Sequence, residues 1–332
     1  MNFGEKDIDP HMCTHIIYSF AGLDESTLQI KSLDYERDVE QNGFQNVIAL
    51  KQKNPQLKVL IAIGGWNEGV KKYSEMVSTK EKRSNFVRSV IEFLELHNFD
   101  GLDLDWEYPG DTGRGGSWSD KENYVKLLEE LRQPFDANGW LLTAAVPAPK
   151  SRIDPGYDVP KVAQLLDFIN VMNYDMHGTW EPYADHHAKL FKREDDYYPY
   201  NSLNVDFAMK YWHQKGAPKD KLIMGVPFYG RNFLLQNPSN NKPGPNAKSQ
   251  KEGFEGEFTE EKGFIAYYEI CKLASEPGWV KKKDVGGNDY IYNGQKWVGY
   301  DTKEAIEKKV DIIFSPYFVN SISKNLLFSF CR

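Results

Sequence analysis

Four carboxylic acids stand within the stretch FDGLDLDWEYPG, residues 99–110: Asp100, Asp103, Asp105 and Glu107. Read as a strand, the segment sends alternate side chains to opposite faces. Asp103, Asp105 and Glu107 then share one face, and Leu102, Leu104 and Trp106 share the other. An edge strand would leave the acids in water. A central barrel strand is covered on both faces, which buries three like charges about 6–7 Å apart. Repulsion and lost hydration then keep a proton on at least one of them at neutral pH. A carboxylic acid held protonated at the C-terminal mouth of a barrel strand suits general-acid chemistry, and Glu107 lies nearest that mouth. Asp100 has the opposite parity and is expected to support the start of the strand through hydrogen bonds. A divalent-metal site is the rival use for clustered acids, but no His-x-x-x-His or comparable ligand set accompanies them, so no metal is expected.

Other residues point to the same mouth. Met172, Tyr174 and Asp175 end the run DFINVMNYD (167–175), adding an aromatic hydroxyl and a further acid. Tyr229 and Arg231 close the next run and are candidates to bind a polar ligand. Trp66, Trp118 and Trp180 each follow a strand-like run, where exposed indoles can stack on sugar rings. His15 and His177 read as structural, and His186–His187 as a solvated loop pair.

The elements that must position these residues are short β-rich runs at 13–22, 58–66, 99–107, 141–147, 167–175 and 221–230, mostly apolar on both faces. Such runs suit a buried parallel sheet. Helical patterns lie between them: Phe86, Val90, Phe93 and Leu94 fall on one face, as do Tyr124, Leu127, Leu128 and Leu131. Ser78 with Glu81 and Ser119 with Glu122 read as capping boxes. The alternation predicts an α/β fold of the (β/α)₈ TIM-barrel kind, with an open doubly wound sheet as competitor. No Gly-x-Gly-x-x-Gly follows the first run, which disfavours the nucleotide-binding version of that competitor. After Gly230 the texture turns rich in Gly, Asn, Pro, Lys and Tyr. A helix is expected over 263–274 and a hairpin over 289–300, turning at Asn293–Gly294. The division expected is a barrel over 1–230, an α+β insertion over 231–301 walling a cleft, and a return to the barrel over 302–332.

The totals suffice for a real core and fit a neutral or small partner at least as well as a charged one. The chain has 332 residues, 40% of them hydrophobic, and a net charge of −7 without long single-sign blocks, so neither nucleic acid nor an anionic membrane is expected as a partner. Met1–Asp9 has no apolar stretch and reads as neither signal peptide nor anchor. The uncharged stretch 312–323 is too short to span a bilayer and contains Pro316. Cys13, Cys271 and Cys331 leave an odd thiol whichever pair forms.

DGLDLDWE (100–107) fits the pattern Asp-x-x-Asp-x-Asp-x-Glu, and it occurs with SFAG (19–22), GGW (64–66), MNYDMHGTW (172–180), GVPFYGR (225–231), GFIAYYEIC (263–271) and KWVGYD (296–301). In this set the chain resembles glycoside hydrolase family 18, the chitinases and their lectin-like relatives, and specifically an animal chitinase of arthropod type, from about Asp9 to Ile313. The resemblance implies a barrel with an α+β insertion between its seventh and eighth strands. It also implies substrate-assisted retaining hydrolysis of chitin or chito-oligosaccharides by a monomer, outside the cell, without metal or organic cofactor. Glu107 would be the acid, Asp105 would orient the substrate acetamide, Asp103 would buffer the pair, Tyr174 would hold the acetamide oxygen and Asp175 would support that site. Trp66, Trp180, Tyr229, Arg231 and Glu261 match positions lining the sugar groove, with Met172 beside them as a further substrate-binding candidate.

The chain departs from that pattern at both ends. The run at 13–22 matches the family's second strand, and the signal peptide and first strand that normally precede it are not found. Cys13 would ordinarily pair with a cysteine of that first strand. Cys271 matches a position that pairs near the family's C-terminus, which leaves Cys331 as its candidate partner. After KKVDII (308–313) the family's Gly-Gly-x-Met-x-Trp strand gives way to a different tail, in which IIFSPYFV is the candidate replacement strand. The expected fold is therefore a barrel lacking its first strand, with its eighth replaced or absent. A chitin-binding lectin on the same fold and an inactive truncated product are the competing readings.

Overall fold

The computed structural model describes residues 4–313. Its first sheet contains β1 (His15–Leu23), β2 (Ile30–Ser32), β3 (Lys58–Gly64), β4 (Gly101–Asp105), β5 (Leu141–Pro147), β6 (Phe168–Met172) and β7 (Leu222–Met224), in the order β2-β1-β3-β4-β5-β6-β7. All of these pair in parallel except β2, which folds back antiparallel on β1. β4 stands in the middle of this sheet, so the acid-bearing segment is covered on both sides. Leu102, Leu104 and Trp106 enter the main apolar core together with Phe86 and Val90 of the helix Lys80–His97 and Leu127, Leu128 and Leu131 of the helix Asp120–Asn138. Their aversion to water seats the strand and commits the opposite parity, Asp103 and Asp105, to the interior.

The second sheet is antiparallel throughout. It is ordered β10 (Val280–Lys283), β11 (Asp289–Asn293), β12 (Lys296–Tyr300), β8 (Tyr229–Leu234) and β9 (Phe264–Ala266). Two small cores flank it, one around Phe233, Tyr290 and Trp297, the other around Ile265, Ile270, Ile291 and Val298. The hairpin β11–β12 turns at Asn293–Gly294, with Gly294 at φ +55°.

Several expectations change here. The run at 221–230 is two elements: β7 stops at Met224, and Tyr229 already opens β8 of the second sheet. The helix expected from Gly263 begins at Tyr267, because Phe264–Ala266 pair with β8 first. Ser78 does not cap the helix that follows it. It closes the preceding helix Lys71–Val77 by donating to the Glu75 carbonyl, and Thr79 takes over as acceptor for the Lys82 N–H. Ser119 does occupy the cap position of its helix, but its side chain makes no capping bond and pairs with the Ser117 hydroxyl instead. The first residues of the candidate replacement strand IIFSPYFV end the helix Lys303–Ile313; the rest of that strand, and Cys331, lie outside the described residues. Cys13 and Cys271 are free thiols.

Candidate active site

Register sets the acids in place. Asp103 stands beside Ala62 and Thr143, and Asp105 beside Gly64. Gly64 is required at that position: its φ is +126°, and a Cβ built on it would fall 2.1 Å from the Asp105 carbonyl oxygen. The Gly65 N–H donates to the same carbonyl at 2.8 Å and turns the chain out toward Trp66. β4 ends at Asp105, so Glu107 leaves the pleat and sits in the loop just above it, half-buried.

Environment then separates the three acids. Asp103 is buried and accepts hydrogen bonds from the Thr143 hydroxyl and, at 2.9 Å, from Asn170 Nδ2. Burial outweighs both donors and pushes its pKa up to about 6. Asp105 is raised well above the usual range, by burial first and then by the charges of Glu107 and Asp103; its Oδ1 accepts no hydrogen bond. Burial raises Glu107 to about 7, although the Tyr108 hydroxyl and the Arg114 charge pull the other way. The result is a mouth that holds protons at neutral pH on acids that would be ionised in water.

Asp175 behaves oppositely. Burial works against its charge, but the His187 ring and the Arg231 guanidinium hold it well below the ordinary carboxylate range. Arg231 Nε donates to Asp175 Oδ1 at 2.7 Å, and the Asp175 N–H donates to His187 Nδ1 at 3.3 Å. Arg231 belongs to β8, so this pair ties the second sheet to the barrel mouth. The same guanidinium lies 5.5 Å from the Trp180 ring centroid and 5.7 Å from that of Tyr229, and Tyr229 meets Tyr174 edge-on at 6.0 Å. Protonated and ionised carboxyls side by side are the arrangement acid-base chemistry needs.

Trp66 and Trp180 are 53% and 57% exposed, enough for each indole to offer a ring face to a ligand. Met172 ends β6, half-buried, and Glu261 is exposed with its charge reaching Arg231. Asp100 is not part of the mouth. It accepts from Lys51 Nζ at 2.7 Å and from the Val59 N–H at 2.8 Å, pinning the opposite end of β4. Trp118 lines a separate hollow of about 190 Å³ with Tyr108, Asp111 and Arg152.

The sequence reading missed three contributors. Thr143 and Asn170 sit on neighbouring strands and meet Asp103 only through register. Arg114, in an Arg-Gly-Gly turn, looks like solvated loop, yet it donates to the main chain of both Glu107 and Trp66. The expectation for His186–His187 is corrected: both rings are buried, His187 behind Asp175 and His186 against Tyr290 and Trp297. Its cause is long-range packing under the second sheet, which no local pattern records. His177 is likewise buried, 2.7 Å from Glu181.

The model of the glycosyl hydrolases family 18 matches residues 2–317. The endochitinase of Manduca sexta is 46% identical over 319 residues, covering 94% of this chain and 57% of the relative, so the chain spans little more than half of that protein. Among solved structures, the Group IV chitinase of Ostrinia furnacalis superposes with a TM-score of 0.92 at 40% identity, covering 98% of this chain and 87% of that one. Human YKL-39, described as a pseudo-chitinase with retained chitooligosaccharide binding, superposes with a TM-score of 0.85 at 36% identity, covering 94% of this chain and 84% of that one. A TIM barrel carrying an insertion domain is the architecture these neighbours imply for this chain.

Proposed function

The chain belongs to glycosyl hydrolase family 18, and from that membership and the geometry of its acids we propose that it hydrolyses β-1,4 links between N-acetylglucosamine units of chitin by a substrate-assisted retaining route. The observation that carries the reading is Glu107, held near neutrality at the mouth directly above Asp105 and Asp103. Glu107 gives its proton to the glycosidic oxygen as the C1–O bond breaks. The acetamide oxygen of the same sugar closes on C1 and forms an oxazolinium ion, so no protein carboxylate becomes the nucleophile. Asp105 passes its proton to Asp103 and, as a carboxylate, accepts the acetamide N–H as positive charge grows there. Water then opens the ring, giving its proton to the Glu107 carboxylate and restoring the starting state. Two inversions at C1 give retention.

In this reading Tyr174 holds the acetamide oxygen, Asp175 and Arg231 fix the wall behind it, and Trp66, Trp180, Tyr229, Met172 and Glu261 line the sugar path. An α+β insertion over 231–301 walls the cleft in the same reading. An extracellular monomer acting without cofactor belongs to the same proposal. No helix among the described residues is long and apolar enough to cross a membrane.

Release of reducing ends from chito-oligosaccharides by the chain, lost by about 10²-fold or more in Glu107→Gln, is the expected result. Oligosaccharide binding without turnover in the parent chain would transfer the reading to a lectin.

A further inference from the structure

We propose that Arg114 is a positioning residue of this site: it locks the Trp66 indole and the Glu107 main chain into one unit, so that a sugar resting on the free face of the indole meets the acid in register. The inference rests on the hydrolase reading above.

The guanidinium carbon of Arg114 lies 3.6 Å from the Trp66 ring centroid, a stacking contact. From the same planar fork, Nη2 donates to the Trp66 carbonyl at 2.6 Å and Nη1 to the Glu107 carbonyl at 2.7 Å. These carbonyls belong to the loops after β3 and β4, which the Glu107 carboxylate also bridges by accepting from the Trp66 main chain. One indole face is thereby covered, and 53% of the side chain's residue surface remains open for the ligand. The Arg114 loop is itself pinned. The buried Asp120 accepts from the Gly110 N–H at 3.1 Å, the Ser117 N–H at 2.8 Å and the Ser74 hydroxyl at 2.6 Å, which fixes the loop's two ends against the helix Lys71–Val77. A lysine supplies charge but neither the fork nor the plane.

Charge adds a second consequence. The groups facing Glu107 are Asp105 below it, Asp175 with its partner Arg231 across the mouth, the phenols of Tyr108 and Tyr157, and Arg114. Arg114 is the cation on the acid's own loop, and it favours the ionised form. Without it Glu107 keeps its proton to higher pH, so the alkaline limb of the rate profile moves upward.

The test uses the full chain with Arg114→Met and Arg114→Lys, a chito-oligosaccharide substrate, and rates followed across pH. Arg114→Met is expected to raise KM by about three- to tenfold, the size of a stacking contact and its associated bonds, and to move the alkaline limb upward. Arg114→Lys is expected to raise KM while leaving the limb near its original place, and it serves alone if the Met variant does not fold. In a Trp66→Ala background Arg114→Met should add little to KM, because both changes remove the same platform. Fully additive KM losses, or an unchanged KM in both Arg114 variants, overturn the positioning role while leaving the hydrolase reading intact. A parent chain without turnover overturns both.

Discussion

Asp103 is buried and Asp175 half-buried, and their pKa values lie on opposite sides of the ordinary aspartate value because of what faces them. Asp103 meets neutral donors, Thr143 and Asn170, and is pushed up to about 6. Asp175 meets Arg231 and is held down. A raised acid binds its proton more tightly when folded, so its contribution is fully present below the unfolded value near 3.8 and is lost as pH rises through about 6. Asp103→Asn removes that liability while keeping an acceptor for both donors. Thermal unfolding should show the variant gaining on the parent between pH 4 and pH 8, by about 3 kcal/mol at most. A gap between the two proteins that does not change with pH contradicts the assignment. Asp103 and Asp105 were legible in sequence because alternation and a central strand leave acids no route to water, whereas Glu107 stands past the end of that strand. Arg114 and His187 were not, since their partners arrive from distant loops.

At the scale of elements, β3 and β4 are joined so closely above Ala62 that only glycine fits between them. Gly64→Ala would place a methyl 2.1 Å from a carbonyl oxygen in a backbone region side chains rarely adopt, and both effects displace the acid strand. A loss of more than about 3 kcal/mol in unfolding free energy is expected, with activity falling in the fraction that still folds. Near-parent stability would mean that the strands are free to separate. The strand runs were readable because buried β segments carry unbroken apolar stretches. Their ends were not: the apolar run from Leu222 hides a passage from one sheet to the other, and Ser78 is claimed by the helix before it rather than the helix after.

Across the whole molecule, the two sheets are held together by charge as well as packing. Arg193 donates in parallel to both oxygens of the buried Asp185, at 2.6 and 2.8 Å, and reaches Asp284, just past the edge strand β10 of the second sheet, at 3.5 Å. Arg231 closes the same junction on the mouth side. The parallel sheet and the change of texture after Gly230 were visible in composition and period, whereas this clamp was not, because its residues are polar and scattered and look like solvated loop. The proton on Glu107 depends on burial of its carboxyl at the mouth. The most direct test is an NMR titration of the Glu107 side-chain carboxyl in the intact, substrate-free chain. A midpoint near 7 is the expected result. A midpoint at the ordinary glutamate value of about 4.3 would leave the mouth without its acid and contradict the mechanism.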